Sequence, residues 1–138
     1  MSNDAIRERL WREYSERFPA PRTEAIELGR VRDYLLALDE PADLAPGDVV
    51  PPLFLLTLGR TRRPQPAKGS AVKAGDEYEF RAPVRVGDDI TVSYRVSDIV
   101  EKKGRMGVMF LISAEWTYTN QRGETVGVAN TSSLRWGQ

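Results

Sequence analysis

The spacing of apolar side chains changes once along this chain, and that change divides it. Before residue 39 apolar residues recur every three or four positions, and from residue 76 they recur every second one. Ile6, Leu10, Tyr14 and Phe18 fall four apart and predict an amphipathic helix over 3–18, with Trp11 widening its stripe. Ser2 or Asn3 is placed to cap it, and Asp4 suits the positive end of its dipole. Glu8 with Arg12 and Glu13 with Arg17 stand at i,i+4 spacing, worth about 0.2–0.5 kcal/mol a pair. Pro19 and Pro21 end the helix. Residues 23–28 fit a short strand or lead-in. A second helix is predicted over 30–38, with Val31, Tyr34, Leu35 and Leu38 on one face. Residues 39–48 carry Pro41, Pro46 and Gly47 and read as loop.

Residues 49–59, from Val49-Val50-Pro51-Pro52 to Leu58-Gly59, are the most apolar stretch. Pro52 suits the first position of a helix, where its missing N–H costs nothing. Apolar residues surround that helix instead of striping it, which predicts burial on most sides. Residues 60–75 read as a basic loop. The period then becomes two. Tyr78 and Phe80 alternate with charges, and Ile90, Val92, Tyr94 and Val96 with polar residues, until the phase slips at Ser97-Asp98 and predicts a bulge. Lys103-Gly104 is a turn. Met106 to Tyr118 keep one parity, 120–123 form a second turn, and Val126, Val128, Asn130, Ser132, Leu134 and Trp136 share one parity, expected to point at an interior or an interface. The result is an α+β chain whose C-terminal half is a meander of long antiparallel strands, which must twist and curl.

Composition narrows the functions open to this chain. Its 138 residues fit one domain with a real core, burying roughly 68% of its unfolded surface. Twenty basic and twenty acidic side chains cancel, so charge directs it to neither nucleic acid nor an anionic membrane. The charged N-terminus is no signal peptide, no apolar run reaches the roughly 20 residues of a membrane helix, and a cytoplasmic location is expected. There is no cysteine, hence no disulfide or thiolate metal site. There is also no histidine, which removes the commonest general base and every Ser-His-Asp or Asp-His mechanism within this chain alone.

Three segments carry a resemblance. They are Arg32-Asp33-Tyr34-Leu35-Leu36-Ala37-Leu38-Asp39, then Val50-Pro51-Pro52-Leu53-Phe54, then residues 78–90 with Ala82-Pro83-Val84-Arg85-Val86-Gly87-Asp88 at their centre. Together with Tyr118-Thr119-Asn120-Gln121-Arg122-Gly123-Glu124-Thr125-Val126, they resemble the MaoC-like dehydratases, and most of all their N-terminal FAS1-like dehydratase domains. The resemblance covers about 24–136 and implies a hot-dog fold, a curled antiparallel sheet wrapped around a central helix, here with an extra N-terminal helix. Residues 1–22 would be that helix and its Pro linker, and 23–138 the hot-dog domain. It also implies chemistry on enoyl or 3-hydroxyacyl thioesters of coenzyme A or an acyl carrier protein, with no added cofactor or metal. Active members carry an Asp and a His in a loop-and-helix motif. At that place stands Asp39-Glu40-Pro41-Ala42-Asp43, with no His after it. The resemblance therefore implies an accessory subunit with no catalytic residue of its own, paired with a second hot-dog subunit that supplies both groups. A homodimer is the other arrangement.

Substrate contacts are expected at Pro52, Leu53 and Phe54, where N–H groups at a helix start can polarise a thioester carbonyl, although prolines often do no more than begin a helix. Arg60 and Arg62, with Arg63, Lys68 and Lys73, suit the phosphates of the carrier, or simply a solvated loop. Asn130 is a further expected contact, against the alternative of a structural hydrogen-bond network. Two rival functions remain. One is a stand-alone thioesterase using Asp39 or Asp43, with Glu40 and Asp48 as further carboxylates. The other is a non-enzymatic acyl-thioester binding or scaffold module.

Overall fold

The structure, a computed structural model, describes residues 1–16, 21–59 and 69–138. Helix α1 (Asn3–Glu16) comes first, then strand β1 (Arg22–Ala25), helix α2 (Leu28–Ala37) and a 3₁₀ helix at Pro52–Thr57. Four long strands follow: β2 (Ser70–Phe80), β3 (Asp89–Gly104), β4 (Gly107–Thr119) and β5 (Thr125–Trp136). They form one antiparallel sheet in the order β1-β3-β4-β5-β2. The helices lie against its inner face, and the outer face carries the opposite strand parity.

Strands β3 and β4 are long because they serve two cores. Trp116, Tyr118, Val92, Ile90 and Ala129 pack under α2 and the 3₁₀ helix, with Val31, Leu35, Phe54, Leu55 and Leu58. Farther along the same strands, Val96, Ile99, Phe110 and Ile112 pack under Ile6, Leu10 and Tyr14 of α1. Within the second core, between Val96 and Ile99, the sheet is creased. β3 has its bulge between Val96 and Asp98, as the phase slip predicts, and β2 has one between Lys73 and Gly75. The two bulges stand on one cross-strand row, Asp98–Ser113–Ser132–Gly75. Bulges sharpen the local bend, so the crease lets a single sheet wrap two helical layers.

Several expectations are met and several corrected. Ser2 caps α1, its hydroxyl accepting from the Ala5 N–H at 3.1 Å. Ser2→Ala should therefore lose about 1 kcal/mol, read as a lower thermal midpoint. Trp11 is 43% exposed and does not extend the buried stripe. Glu13 pairs with Arg135 at 3.1 Å, a long-range contact. Phe18 and Arg17 lie outside the described residues. Leu38 is exposed, because α2 ends at Ala37 and the chain turns through Asp39 at φ 57°. β2 begins at Ser70, so the end of the expected basic loop is strand. Met106 sits exposed in the β3–β4 hairpin turn.

The largest correction concerns β5. Tyr118 pairs with Gly127 and Thr119 with Thr125, so Val126 is an extra residue at a register shift. One extra residue moves every later side chain to the other face. Val126 is buried, and after it the inward series is Gly127, Ala129, Thr131, Ser133 and Arg135. Asn130, Ser132, Leu134 and Trp136 consequently face outward.

Candidate functional site

The chain entering the 3₁₀ helix is stitched to the loop after β2. Val50 N–H donates to the Val84 carbonyl at 2.8 Å, Val86 N–H to Asp48 at 2.9 Å, and Gly47 N–H to Val86 at 3.0 Å. Arg85 adds a guanidinium bond to the Gly47 carbonyl at 3.1 Å. These bonds fix Pro51 and Pro52. Pro52 takes the first helical position, as its locked φ favours. At the far end, the Glu24 carboxylate of β1 accepts from the Gly59 N–H at 2.5 Å and also pairs with Arg30 at 3.5 Å.

The helix is shorter and more one-sided than its apolar sequence predicts. Phe54, Leu55 and Leu58 are buried, but Leu53 is 51% exposed and Pro52 is exposed. A six-residue 3₁₀ helix has three residues per turn, so it presents one face to the core and another outward. Tyr34 of α2 meets the Phe54 ring edge-on at 5.4 Å. The Phe54 N–H is already spent on the Pro51 carbonyl at 3.0 Å. That leaves Leu53 as the N–H of the first turn without an intrahelical acceptor. Beyond the helix, a Cβ at Gly127 of β5 would meet Leu55 Cδ1 at 3.2 Å and Phe80 Cδ1 at 3.6 Å. Gly127 thus lets the helix approach the sheet beside β2, an edge strand among the described residues, whose Tyr78 and Phe80 stay exposed.

The loop carboxylates stay at the surface. Asp39, Glu40, Asp43 and Asp48 are all exposed. Asp48 serves the backbone, accepting from the Ala45 N–H at 2.8 Å. A carboxylate becomes a base near neutral pH when burial raises its pKa, and none of these four is buried. Asn130 stands exposed on the outer face, opposite Glu115 and Glu77 and away from the 3₁₀ helix. Arg60, Arg62, Arg63 and Lys68 lie outside the described residues. Lys73 is on β2 and pairs with Asp76.

Two polar arrangements escaped the sequence reading. The first joins two turns. Buried Asp88 accepts from the Arg85 N–H at 2.9 Å and from the Gln121 side-chain amide at 2.9 Å. Buried Asn120 closes its own turn, accepting from the Arg122 and Glu124 N–H groups, each at 3.0 Å. Residues 120–123 are expected as a turn, but nothing in the sequence ties that turn to Gly87-Asp88. The second is Arg135. Its side chain is 1% exposed, with the Tyr14 hydroxyl at 3.2 Å and Glu13 at 3.1 Å. Burial alone pulls its pKa down, but bonding and charge from Tyr14 and Glu13 outweigh it and hold it above its ordinary value. The guanidinium is a cationic anchor for α1.

The family described as FAS1-like, dehydratase domain region matches residues 14–128. A comparison with curated proteins finds no match. Among solved structures, the ChsH1-ChsH2 complex from Mycobacterium tuberculosis is similar at 18% identity and a TM-score of 0.68, covering 86% of this chain and 83% of that one. The C-terminally truncated HadBC (3R-hydroxyacyl-ACP dehydratase) complex from the same organism shares 20% identity at a TM-score of 0.62, over 83% and 91% of the two chains. A MaoC-like dehydratase from Rhodospirillum rubrum shares 19% identity at 0.64, over 85% and 88%. At these identities the neighbours establish the fold, a hot-dog. With its curled five-stranded sheet and a family match over most of its length, this chain belongs to the FAS1-like dehydratase domain family.

Proposed function

We propose that this chain is the non-catalytic subunit of a heteromeric (R)-specific enoyl-thioester hydratase, or of the reverse 3-hydroxyacyl-thioester dehydratase. The observation that carries this reading is chemical. The chain has no histidine, and the carboxylates at the place of the family's catalytic motif stand exposed in a loop. A second hot-dog would bring the Asp and His that activate water for addition, or that remove the α-proton in reverse. Two neighbouring structures are themselves complexes of two proteins, which supports a heteromeric arrangement.

The partner's seat is the β2 edge. β2 is 11 residues long and, among the described residues, pairs only with β5, so its other side offers backbone groups to a partner. Tyr78 and Phe80 sit exposed on that strand, close to the 3₁₀ helix. In this arrangement Pro52, Leu53 and Phe54 wall the acyl pocket, and the Leu53 N–H is the group placed to meet a carbonyl. Arg60 and Arg62 are proposed to meet the phosphates of coenzyme A or of a phosphopantetheine carrier.

The test uses the purified chain alone, then co-expressed with a hot-dog protein that carries the Asp/His pattern. With crotonyl-CoA, the lone chain should leave the double bond untouched and the pair should hydrate it. Hydration by the lone chain would overturn the dependence on a partner. Release of free thiol from acyl-CoA by the lone chain, abolished by Asp39→Asn or Asp43→Asn, would establish a thioesterase instead.

A further inference from the structure

The outer face of the sheet is not the uniformly polar surface that a solvated face would show. One cross-strand row is entirely apolar. Val100 pairs with Leu111, Leu111 with Leu134, and Leu134 with Val72, so the row crosses all four long strands. Val100 is 39% and Val72 49% exposed, and Leu111 and Leu134 are half-buried. The rows on either side differ in size and charge. Toward the β3–β4 hairpin runs Lys102–Met109–Trp136–Ser70. Toward the crease runs Asp98–Ser113–Ser132–Gly75, where small side chains leave a furrow of about 330 Å³ floored by Ser97, Ser113, Ser132 and Gly75.

We propose that this face is a two-fold interface between two copies of this chain, with the apolar row lying along the axis. A two-fold axis along the row carries each strand onto itself and exchanges the two flanking rows. Met109 and Trp136 of one copy then face Ser113 and Ser132 of the other, so bulky side chains enter the furrow. Lys102 faces the other copy's Asp98, and the same pair recurs by symmetry. Asp98 uses one oxygen on the Ile99 N–H at 2.9 Å and keeps the other for such a contact. Within one chain the two charges are about 13 Å apart along β3, so they do not pair with each other. Antiparallel sheets pack face to face in this aligned manner. The arrangement is isologous, closes on itself, and leaves the β2 edge open. It goes beyond the proposed reaction and does not depend on it.

The experiment is sedimentation of the full chain across a concentration series. The wild type should form dimers. Lys102→Glu sets two like-charge pairs across the axis and should weaken the dimer about tenfold. Asp98→Lys combined with Lys102→Glu should restore it, because the reversed pair is again complementary across the axis. Leu111→Glu should give monomers whose circular dichroism matches wild type. A wild type that stays monomeric throughout overturns the proposal. So does a dimer that none of these substitutions weakens, which belongs to the β2 edge, and so does a charge-swapped double variant that stays weak.

Discussion

Arg135→Ala should cost about 3 kcal/mol of stability and release α1 from the sheet. The guanidinium is buried on the inner face of β5, with Glu13 and Tyr14 of α1 as its partners. Breaking a buried charged pair typically costs about 3–5 kcal/mol, because the remaining charge loses its compensation. The Glu13 side chain is 31% exposed and recovers part of its hydration, which places this case at the lower end. Arg135→Met keeps most of the volume and separates packing from charge. The measurements are denaturant unfolding and amide exchange over 3–16, where protection should fall most. A double-mutant cycle with Glu13→Gln should show a coupling energy, and additive effects would remove Glu13 from the anchor. The pH dependence has a definite sign. The Arg135 pKa is raised on folding, so its contribution is complete below the ordinary arginine value and fades only as pH climbs through the raised one. Across neutral pH the arginine's contribution to the anchor is constant.

This arginine also marks the limit of what the sequence discloses. Period-two alternation placed β3 and β4, their bulge at Ser97-Asp98 and the turn at 120–123, because a half-buried strand writes its burial directly into its residues. The first turn falls at Arg105-Met106, two residues beyond the expected Lys103-Gly104, which still pair within β3. The stripe Ile6, Leu10 and Tyr14 likewise placed α1 and its buried face. β5 resisted the same reading. Val126 and Val128 both suggest an inward even series, and nothing local records that the pairing with β4 shifts by one residue. The shift sends Ala129 and Arg135 inward and Asn130 outward, which reverses the expected role of each. A lone arginine on a strand reads as a solvent-facing charge until the opposing helix supplies a carboxylate and a phenol. The apolar run at 53–58 was legible as a helix start, through its prolines, but not as a 3₁₀ helix with one exposed side. That outcome depends on the short span between the bonds at Val50 and the Gly59 N–H held by Glu24. The candidate site is therefore half visible. Its position follows from Pro51-Pro52 and its missing base from the absence of histidine, while its exposed wall follows from tertiary contacts alone.

Gly59 carries the second large effect. Gly59→Ala should lose about 2–5 kcal/mol, combining left-handed backbone strain of roughly 1–2 kcal/mol with overpacking of roughly 1–3 kcal/mol. The backbone there has φ +66°, which side chains with a Cβ rarely adopt. An added Cβ would also come within 2.9 Å of Val92 Cγ1 and 3.0 Å of Val92 Cβ. Val92 is buried on central strand β3 and cannot swing aside. Moving the chain away instead would stretch the Gly59 N–H bond to Glu24 and draw Leu58 out of the core. Both routes displace the end of the helix that is proposed to wall the acyl pocket. A drop of about 10 °C in the thermal midpoint is the expected reading. Val92→Ala removes the Val92 methyls but neither the contact with its Cβ at 3.0 Å nor the strain at φ, so in that background Gly59→Ala should cost less, with only part of the overpacking share regained. Full recovery would mean that the backbone conformation at Gly59 carries no cost, and no recovery would mean that contact with Val92 is not what confines this position to glycine.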